Sequence, residues 1–181
     1  CTVDNLAVGD LAGRVDFAAA YADDAGVPPN LCAERRRRAT ALLSSARGQI
    51  GPGTLRTALR DHYDAGPVHR PRPFDDPHFF SLCMHADPLD NTTAAMVVRL
   101  PSDPFDVVTA WVCLGSPCVG AFIPCYPEGA VPDALAHGGE HPEPTSMWWR
   151  MHDLLARVEL DFAGLGPVVR RRWDAFERGL A

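Results

Sequence analysis

The sequence predicts an α+β fold in which helices flank an antiparallel sheet. Three observations indicate this fold: apolar residues recur at helical spacing in the first third of the chain, four runs of strand length lie between residues 78 and 124, and helical spacing returns after residue 144. The chain has 181 residues, the size of one domain with its own core, so we treat 1–181 as a single domain.

The first third of the chain predicts one short strand followed by three helices. The strand covers residues 2–8, and the helices cover residues 11–25, 31–47 and 55–62. Asn30 precedes the second helix and Thr54 precedes the third, and both residue types cap helices by accepting a backbone N–H. We therefore expect these two residues to begin their helices.

Residues typical of strands dominate after a Pro- and Arg-rich loop at 64–77. They predict strands over residues 78–85, 92–100, 107–114 and 118–124. Because short turns separate these runs, we expect an antiparallel meander that helices cover on one face. The other face of the sheet would then need a cover from elsewhere.

The last third predicts a long amphipathic helix after a second Pro- and Gly-rich loop at 126–144. Apolar residues recur every three or four positions from residue 147 to residue 165. Gly166 and Pro167 interrupt this helix, because Pro lacks the N–H that a helix interior uses. We expect the helix to break there and to resume as far as Arg178.

The composition excludes several functional classes. Net charge is −6 and all 17 basic residues are Arg, so the chain lacks the net basic face that nucleic-acid binding requires. No apolar run reaches the roughly 18 residues of a membrane span, and no secretory signal is visible. We therefore expect a cytoplasmic protein with neither a nucleic-acid nor a membrane partner. Because the chain begins at Cys1 rather than Met, we also expect that an upstream segment has been removed.

The cysteines and histidines do not follow a familiar metal-binding spacing. The six cysteines lack the paired CxxC arrangement of zinc sites, and we expect reduced thiols. The segments 85–87 and 137–141 each contain potential ligands, but neither has the one-turn helical spacing of HExxH. Asp61 and His62, at the end of a predicted helix, are interpreted as a C-terminal cap favoured by the helix dipole, with general acid–base catalysis as the alternative. We predict neither a metal site nor a cofactor.

Four segments of the chain carry motifs of a known enzyme family. They are, in chain order, residues 57–66 (TALRDHYDAG), 81–85 (SLCMH), 92–97 (TTAAMV) and 148–150 (WWR). These motifs resemble those of the cysteine dipeptidase/secernin family of N-terminal-nucleophile (Ntn) hydrolases. The matches keep the family's order from about residue 3 to residue 155, in the register of the second half of a family chain.

The resemblance implies an αββα sandwich to which this chain contributes an antiparallel sheet with flanking helices. A separate N-terminal half, or α-subunit, would supply the rest. The implied reaction is hydrolysis or transfer of an acyl group from a small peptide, N-acyl amide or thioester, free or carrier-bound, through a cysteine acyl-enzyme formed after autoproteolysis. An α-amine titrates at a pKa of about 8, so it can serve as the base for its own thiol. The rival interpretation is a non-catalytic subunit that supports the chain carrying the nucleophile.

The resemblance also implies three catalytic residues: Cys1, Asn5 and Arg35. Asn5 matches an Asn that points into the family's active site, where it would bind an oxyanion or position the substrate. Arg35 matches an Arg that approaches the nucleophile, and Arg38 is the alternative match. Cys1 has two interpretations. It is either the nucleophile exposed by self-cleavage, or the boundary with a missing half that carries the nucleophile.

Overall fold

The computed structural model describes residues 29–63, 81–86, 90–103 and 105–180. The predicted strand at 2–8 and the predicted helix at 11–25 lie outside these residues. Within them, we number five helices and five strands in chain order. They are α1 (Pro29–Ser45), α2 (Pro52–Ala58), β1 (His85–Ala86), β2 (Asp90–Asn91), β3 (Ala94–Arg99), β4 (Thr109–Leu114), β5 (Ile123–Cys125), α3 (Asp133–Ala136), α4 (Met147–Glu159) and α5 (Phe162–Gly179).

Both helices of the first third begin earlier than the sequence predicts. Helix α1 already includes Asn30, so the prediction that Asn30 caps it is wrong. Helix α2 begins at Pro52, whose restricted φ suits a first helical position. Thr54 is therefore the third residue of α2, and its hydroxyl accepts the Gly51 N–H at 3.3 Å. Because α2 ends at Ala58, the segment that contains His62 is irregular backbone rather than helix.

The predicted meander is confirmed for three strands, which form an antiparallel sheet in the order β3-β4-β5. The first predicted strand is wrong over residues 81–84, and its last residue, His85, belongs to β1, which forms a separate two-residue hairpin with β2. The strand predicted at 118–124 begins only at Ile123, because residues 117–119 form a turn. Both irregular segments carry residues of the candidate site described below.

Helices pack against both faces of the sheet. Val97, Cys113 and Phe122 form a buried cluster on one face, against Leu55 and Leu59 at α2. On the other face, helices α4 and α5 cover Leu114 and Ile123 with Met147, Met151, Trp173 and Phe176, around a small apolar cavity of about 120 Å³. The expectation that helices cover a single face is therefore wrong, but the other end of this second face stays open. There, Met96 is 62% exposed and Val98 is 39% exposed.

The C-terminal helical region breaks at Leu160–Asp161, six residues before the predicted break. The Asp161 carboxylate accepts the Gly164 N–H at 3.1 Å and so caps a new helix. Pro167 then lies inside α5 as its sixth residue, and the helix continues past it despite the hydrogen bond that proline cannot donate. No helix in the described part of the chain is long and apolar enough to cross a membrane.

Candidate metal centre

Four side chains with metal-binding atoms meet beside the core of the C-terminal helices. They are His62, Cys83, His85 and Cys118, and their ligand atoms all lie within 4.8 Å of one another. Cys83 is fully buried and His62 and Cys118 are at least nine-tenths buried. Leu155, Val158 and Phe162 form the apolar side of the same cluster. We call His62, Cys83, His85 and Cys118 the His–Cys cluster.

His62 lies in a short turn that hydrogen bonds hold in place. The Asp61 carboxylate accepts the Tyr63 N–H at 2.9 Å, and Tyr63 takes a left-handed backbone conformation with φ of 74°. Such a conformation costs a non-glycine residue about 1–2 kcal/mol, so the turn persists only because its surroundings enforce it. Arg38 of α1 donates two hydrogen bonds, of 2.8 and 2.6 Å, to the same carboxylate. The turn thereby places His62 at the cluster.

Cys83 and His85 come from the irregular segment that leads into the β1–β2 hairpin. The Cys83 N–H donates to the Asp61 carbonyl at 3.0 Å, which ties this segment to the His62 turn. Thr92 holds the other side, because its hydroxyl accepts the Met84 N–H at 2.8 Å and its own N–H donates to the Met84 carbonyl at 2.9 Å. These bonds hold the segment so that Cys83 and His85 both face the cluster.

Cys118 lies in the buried loop between β4 and β5. Gly115 begins this loop with φ of +75°, a conformation that favours glycine. A Cβ there would also lie 3.4 Å from the Met151 Cβ. The Ser116 hydroxyl donates to the Thr92 carbonyl at 3.0 Å and so joins the loop to the hairpin. The turn at 117–119 then points Cys118 at His85, with 3.3 Å between the Cys118 Sγ and the His85 Nε2.

Glu159, in the last turn of α4, fixes the orientation of the His85 ring. Its Oε1 lies 3.2 Å from the His85 Nδ1, while the His85 Nε2 lies 3.4 Å from the Cys83 Sγ. The two nitrogens of one imidazole thus face a carboxylate on one side and the thiols on the other. His62 packs beside this ring, with 5.3 Å between the two ring centroids. A carboxylate behind a metal-binding histidine is the usual partner that sets its tautomer.

The charges in this pocket favour one ionised thiol beside a protonated imidazole. Burial opposes ionisation of Cys83, but hydrogen bonds with Cys118, His62 and His85 outweigh it, and the Cys83 pKa lies well below its ordinary value. Burial likewise opposes protonation of His85, yet its hydrogen bonds to Cys83 and Glu159 raise its pKa. Burial and the neighbouring Cys83 thiolate raise the pKa of Cys118 well above its ordinary value. A divalent cation would allow both thiolates to exist together, because it replaces their protons.

The spacing between the His85 nitrogen and the two sulfurs suits a tetrahedral zinc ion. With ordinary zinc bond lengths, a tetrahedral site separates a ligand nitrogen from a ligand sulfur by about 3.5 Å and two sulfurs by about 3.8 Å. The His85 Nε2 lies 3.4 and 3.3 Å from the two sulfurs, close to that first value. Two thiolates and two imidazoles also form one of the donor sets that select zinc. The residues present therefore fit this metal.

The burial of the site limits its chemistry. A catalytic zinc keeps an open position for water or substrate, whereas four protein ligands close the coordination sphere. Cys83, His85 and Glu159 also stand in the order thiol, imidazole, carboxylate that activates a nucleophilic cysteine. However, the Cys83 side chain has no exposed surface, so no substrate carbonyl reaches its sulfur in this conformation. The geometry therefore favours a structural metal site.

Of the three residues implied by the family resemblance, only Arg35 lies in the described part of the chain, and it is not one of the four cluster residues. Cys1 and Asn5 lie outside the described residues. Arg35 is half-buried on α1, where its positive charge acts on Tyr63, whose pKa burial raises to about 12. Arg38, the alternative to Arg35, binds Asp61 and so supports the His62 turn from behind.

Sequence reasoning missed the His–Cys cluster because its ligands come from three segments at residues 62, 83–85 and 118. Spacing rules such as CxxC detect ligands that are neighbours along the chain. The CxH pattern at 83–85 was the one local signal, since it places a thiol and an imidazole on the same side of an extended segment. The expectation of reduced thiols is confirmed for the five described cysteines, none of which forms a disulfide.

Neither a scan against protein-family models nor searches of curated proteins and of solved structures find a match to this chain.

Proposed function

We propose that this protein is a zinc-binding domain whose metal joins the His62 turn, the β1–β2 hairpin and the β4–β5 loop. The observation that carries the proposal is the convergence of four buried ligand atoms within 4.8 Å of one another. A zinc ion would bind all four groups at once and would take the place of the protons on the two thiols. The metal would be structural, because protein ligands fill its coordination sphere.

The position of the cluster supports a stabilising role. Its segments contain little regular secondary structure, since residues 61–63 and 81–84 belong to neither helix nor strand. Such segments lack the repeated backbone hydrogen bonds that hold a sheet or helix together, so a metal ion linking them contributes most where the fold is otherwise weakest. The cluster also adjoins the apolar residues Leu155 and Val158 of α4, which keep water from the ligands.

The test is the metal content and the cobalt spectrum of the purified protein. We expect one zinc ion per chain by elemental analysis. Substitution by Co²⁺ should produce intense visible bands of a tetrahedral site together with a thiolate-to-cobalt charge-transfer band. The double variant Cys83→Ser/Cys118→Ser should lose both the metal and the charge-transfer band. Cys125→Ser is the matched control, because Cys125 is half-buried on β5 and belongs to no cluster of ligands.

Either of two results would refute the proposal. One is a wild-type protein that takes up no stoichiometric zinc or cobalt after reduction of its thiols. The other is a double variant that binds metal as tightly as Cys125→Ser does.

A second proposed function is that of an Ntn-type cysteine amidohydrolase or acyltransferase subunit. One observation favours it: the segments that carry the family resemblance contact one another. Asp61 of the first accepts from Cys83 of the second, Met84 exchanges hydrogen bonds with Thr92 of the third, and the Trp148 indole donates to the Thr93 carbonyl at 3.0 Å. Motifs that build one local structure are expected to be kept together in a family. The exposed Met96 and Val98 would offer a surface to the second sheet of an αββα sandwich.

This second proposal is tested by intact-mass measurement and acyl labelling. A second polypeptide that copurifies, together with labelling of Cys1 by a thiol-directed acyl probe, would support a β-subunit that carries the nucleophile. Cys1→Ala should then abolish labelling and, in a precursor, block cleavage. Labelling of a cysteine on the second chain would assign the nucleophile there and leave this chain as its non-catalytic support. A protein that is monomeric and unlabelled would refute the second proposal and leave the zinc proposal untouched.

A further inference from the structure

A second buried polar cluster holds the loop that carries Cys118. Arg60, Arg170 and Glu177 form it, and we call these residues the arginine clamp. Glu177 is 8% exposed, and its Oε1 accepts from the Arg60 guanidinium at 2.5 Å and from Arg170 at 3.2 Å. The same oxygen accepts the Phe122 N–H at 2.9 Å, so the clamp binds the end of the β4–β5 loop directly.

The clamp binds carbonyl groups on both sides of Cys118. Arg60 and Arg170 donate to the Pro117 carbonyl at 3.0 and 3.3 Å, immediately before the cysteine. After it, the Trp173 indole donates to the Val119 carbonyl at 2.7 Å. Arg170 also donates to the Gly120 carbonyl at 2.8 Å. Four side-chain hydrogen bonds, donated by Arg60 and α5 to the carbonyls of residues 117, 119 and 120, therefore leave the backbone at residue 118 little freedom.

Arg60 also links this loop to the turn that carries His62. It precedes Asp61 and His62 in the chain, so one guanidinium connects the His62 turn to the carbonyl next to Cys118. The Cys83 N–H in turn bonds to the Asp61 carbonyl at 3.0 Å. These contacts link the three segments that carry the four ligands. The groups that make the contacts are not themselves ligands.

We infer that Arg170 and Trp173 are positioning residues for the metal centre, which they preorganise by fixing the backbone of Cys118. This inference rests on the proposed zinc site. A preorganised site binds its metal more tightly, because the cost of ordering the ligands is met during folding. Both residues bind backbone carbonyl groups next to Cys118, so the effect is transmitted through the loop backbone.

The test compares zinc dissociation constants of folded, reduced proteins by competition with a chromophoric chelator. Arg170→Met should weaken zinc binding about tenfold, the lower end of the range seen for indirect supporting contacts. Trp173→Phe keeps the ring packed while it removes the bond to the Val119 carbonyl, and it should weaken binding less. Arg157→Met is the matched control, because Arg157 pairs with Asp153 on the exposed side of α4.

The cobalt spectrum separates positioning from general destabilisation. Displacement of Cys118 should shift or weaken the thiolate-to-cobalt band in Arg170→Met and Trp173→Phe, and an Arg170→Lys variant should restore only part of it. Wild-type zinc affinity and an unchanged cobalt spectrum in both Trp173→Phe and Arg170→Met would overturn the inference alone. If Arg170→Met fails to fold, Trp173→Phe decides the question by the same two measurements. A wild-type protein that binds no metal would overturn the zinc proposal, and this inference with it.

Discussion

The His–Cys cluster and the arginine clamp both contact the β4–β5 loop, and they differ in how their charges are balanced. In the clamp, Glu177 faces Arg60 and Arg170, with Arg56 at 3.6 Å from its second oxygen, so opposite charges pair within the protein. In the His–Cys cluster, two thiols and two imidazoles face one another, with the Glu159 carboxylate beside His85. In the clamp, side chains of opposite charge balance one another, whereas the His–Cys cluster has the composition of a shell of ligands around a cation. Burial alone therefore does not identify a metal site.

The largest predicted effect concerns the clamp. Glu177→Ala leaves three guanidinium groups near one another with no buried carboxylate between them. Removal of one partner from a buried ion pair costs about 3–5 kcal/mol, and we expect a loss of this size in the free energy of unfolding by urea. Most of the loss should persist in a chelator, because the charge imbalance does not involve the metal. Glu140→Ala, at an 89% exposed side chain, should have no measurable effect.

The second-largest predicted effect is that of metal removal, which should loosen the His–Cys cluster more than the arginine clamp. Zinc at about a hundredfold excess over its dissociation constant stabilises a protein by about 2.7 kcal/mol, or roughly 5–10 °C in Tm for a domain of this size. Chelation should therefore lower the Tm by this amount. Hydrogen exchange should show faster exchange of amides at residues 61–63 and 81–86, with the last turns of α5 still protected. Equal loss of protection at both clusters would contradict the stronger dependence of the His–Cys cluster on the metal.

A smaller effect should distinguish the proposed metal ligands from Glu159, which supports His85. Glu159→Gln removes the charge behind His85 but keeps a group that can hydrogen bond to its Nδ1. Loss of such a partner weakens metal binding about 10–100-fold, and we expect a change in this range by chelator competition. The stability of the metal-free protein should change little, since Glu159 is one-third exposed. Glu140→Gln should leave the affinity unchanged.

The smallest predicted effect concerns the Arg38–Asp61 pair. Burial opposes ionisation of Asp61, but hydrogen bonds from Arg38 and the Tyr63 N–H outweigh it and lower the Asp61 pKa. A lowered folded-state pKa contributes stability above the unfolded value of about 3.9, and this contribution is lost as the pH falls through the folded value. Because the Arg38 side chain is 31% exposed, solvent screens the pair, and Arg38→Met should cost at most about 1 kcal/mol at pH 7. The difference from wild type should shrink below about pH 4 in urea titrations. A difference that stays constant with pH would assign the effect to packing of the Arg38 stem.

The sheet and the C-terminal helices were the easiest parts to predict. Runs of apolar and β-branched residues at 94–99 and 109–114 and the turn between them predict a hairpin, because both features depend on residues close in sequence. The helix break was predicted at the wrong place because, judged from the sequence alone, Pro167 is a stronger helix-breaking signal than Asp161. In the folded chain, the Asp161 carboxylate binds the Gly164 N–H and ends one helix by beginning another.

The candidate site was much harder to predict. The segments at 81–84 and 118–122 have the apolar composition of strands, yet contacts with Asp61, Arg170 and Glu177 hold them in irregular conformations. Those partners lie between 20 and 60 residues away in the chain, beyond the reach of any local pattern. The roles implied for Cys1 and Asn5 remain predictions, since both residues lie outside the described part of the chain.

The sequence by itself determined the α+β class, the antiparallel order of β3, β4 and β5, and the reduced state of the described thiols. These properties follow from local periodicity and composition. Only the tertiary structure decided that His62, Cys83, His85 and Cys118 meet, and that Glu177 gathers arginines from α2, from the turn after it and from α5. The physical reason is the same in both cases. Buried polar groups find partners in space, and the distance between two side chains across a core is unrelated to their separation along the chain.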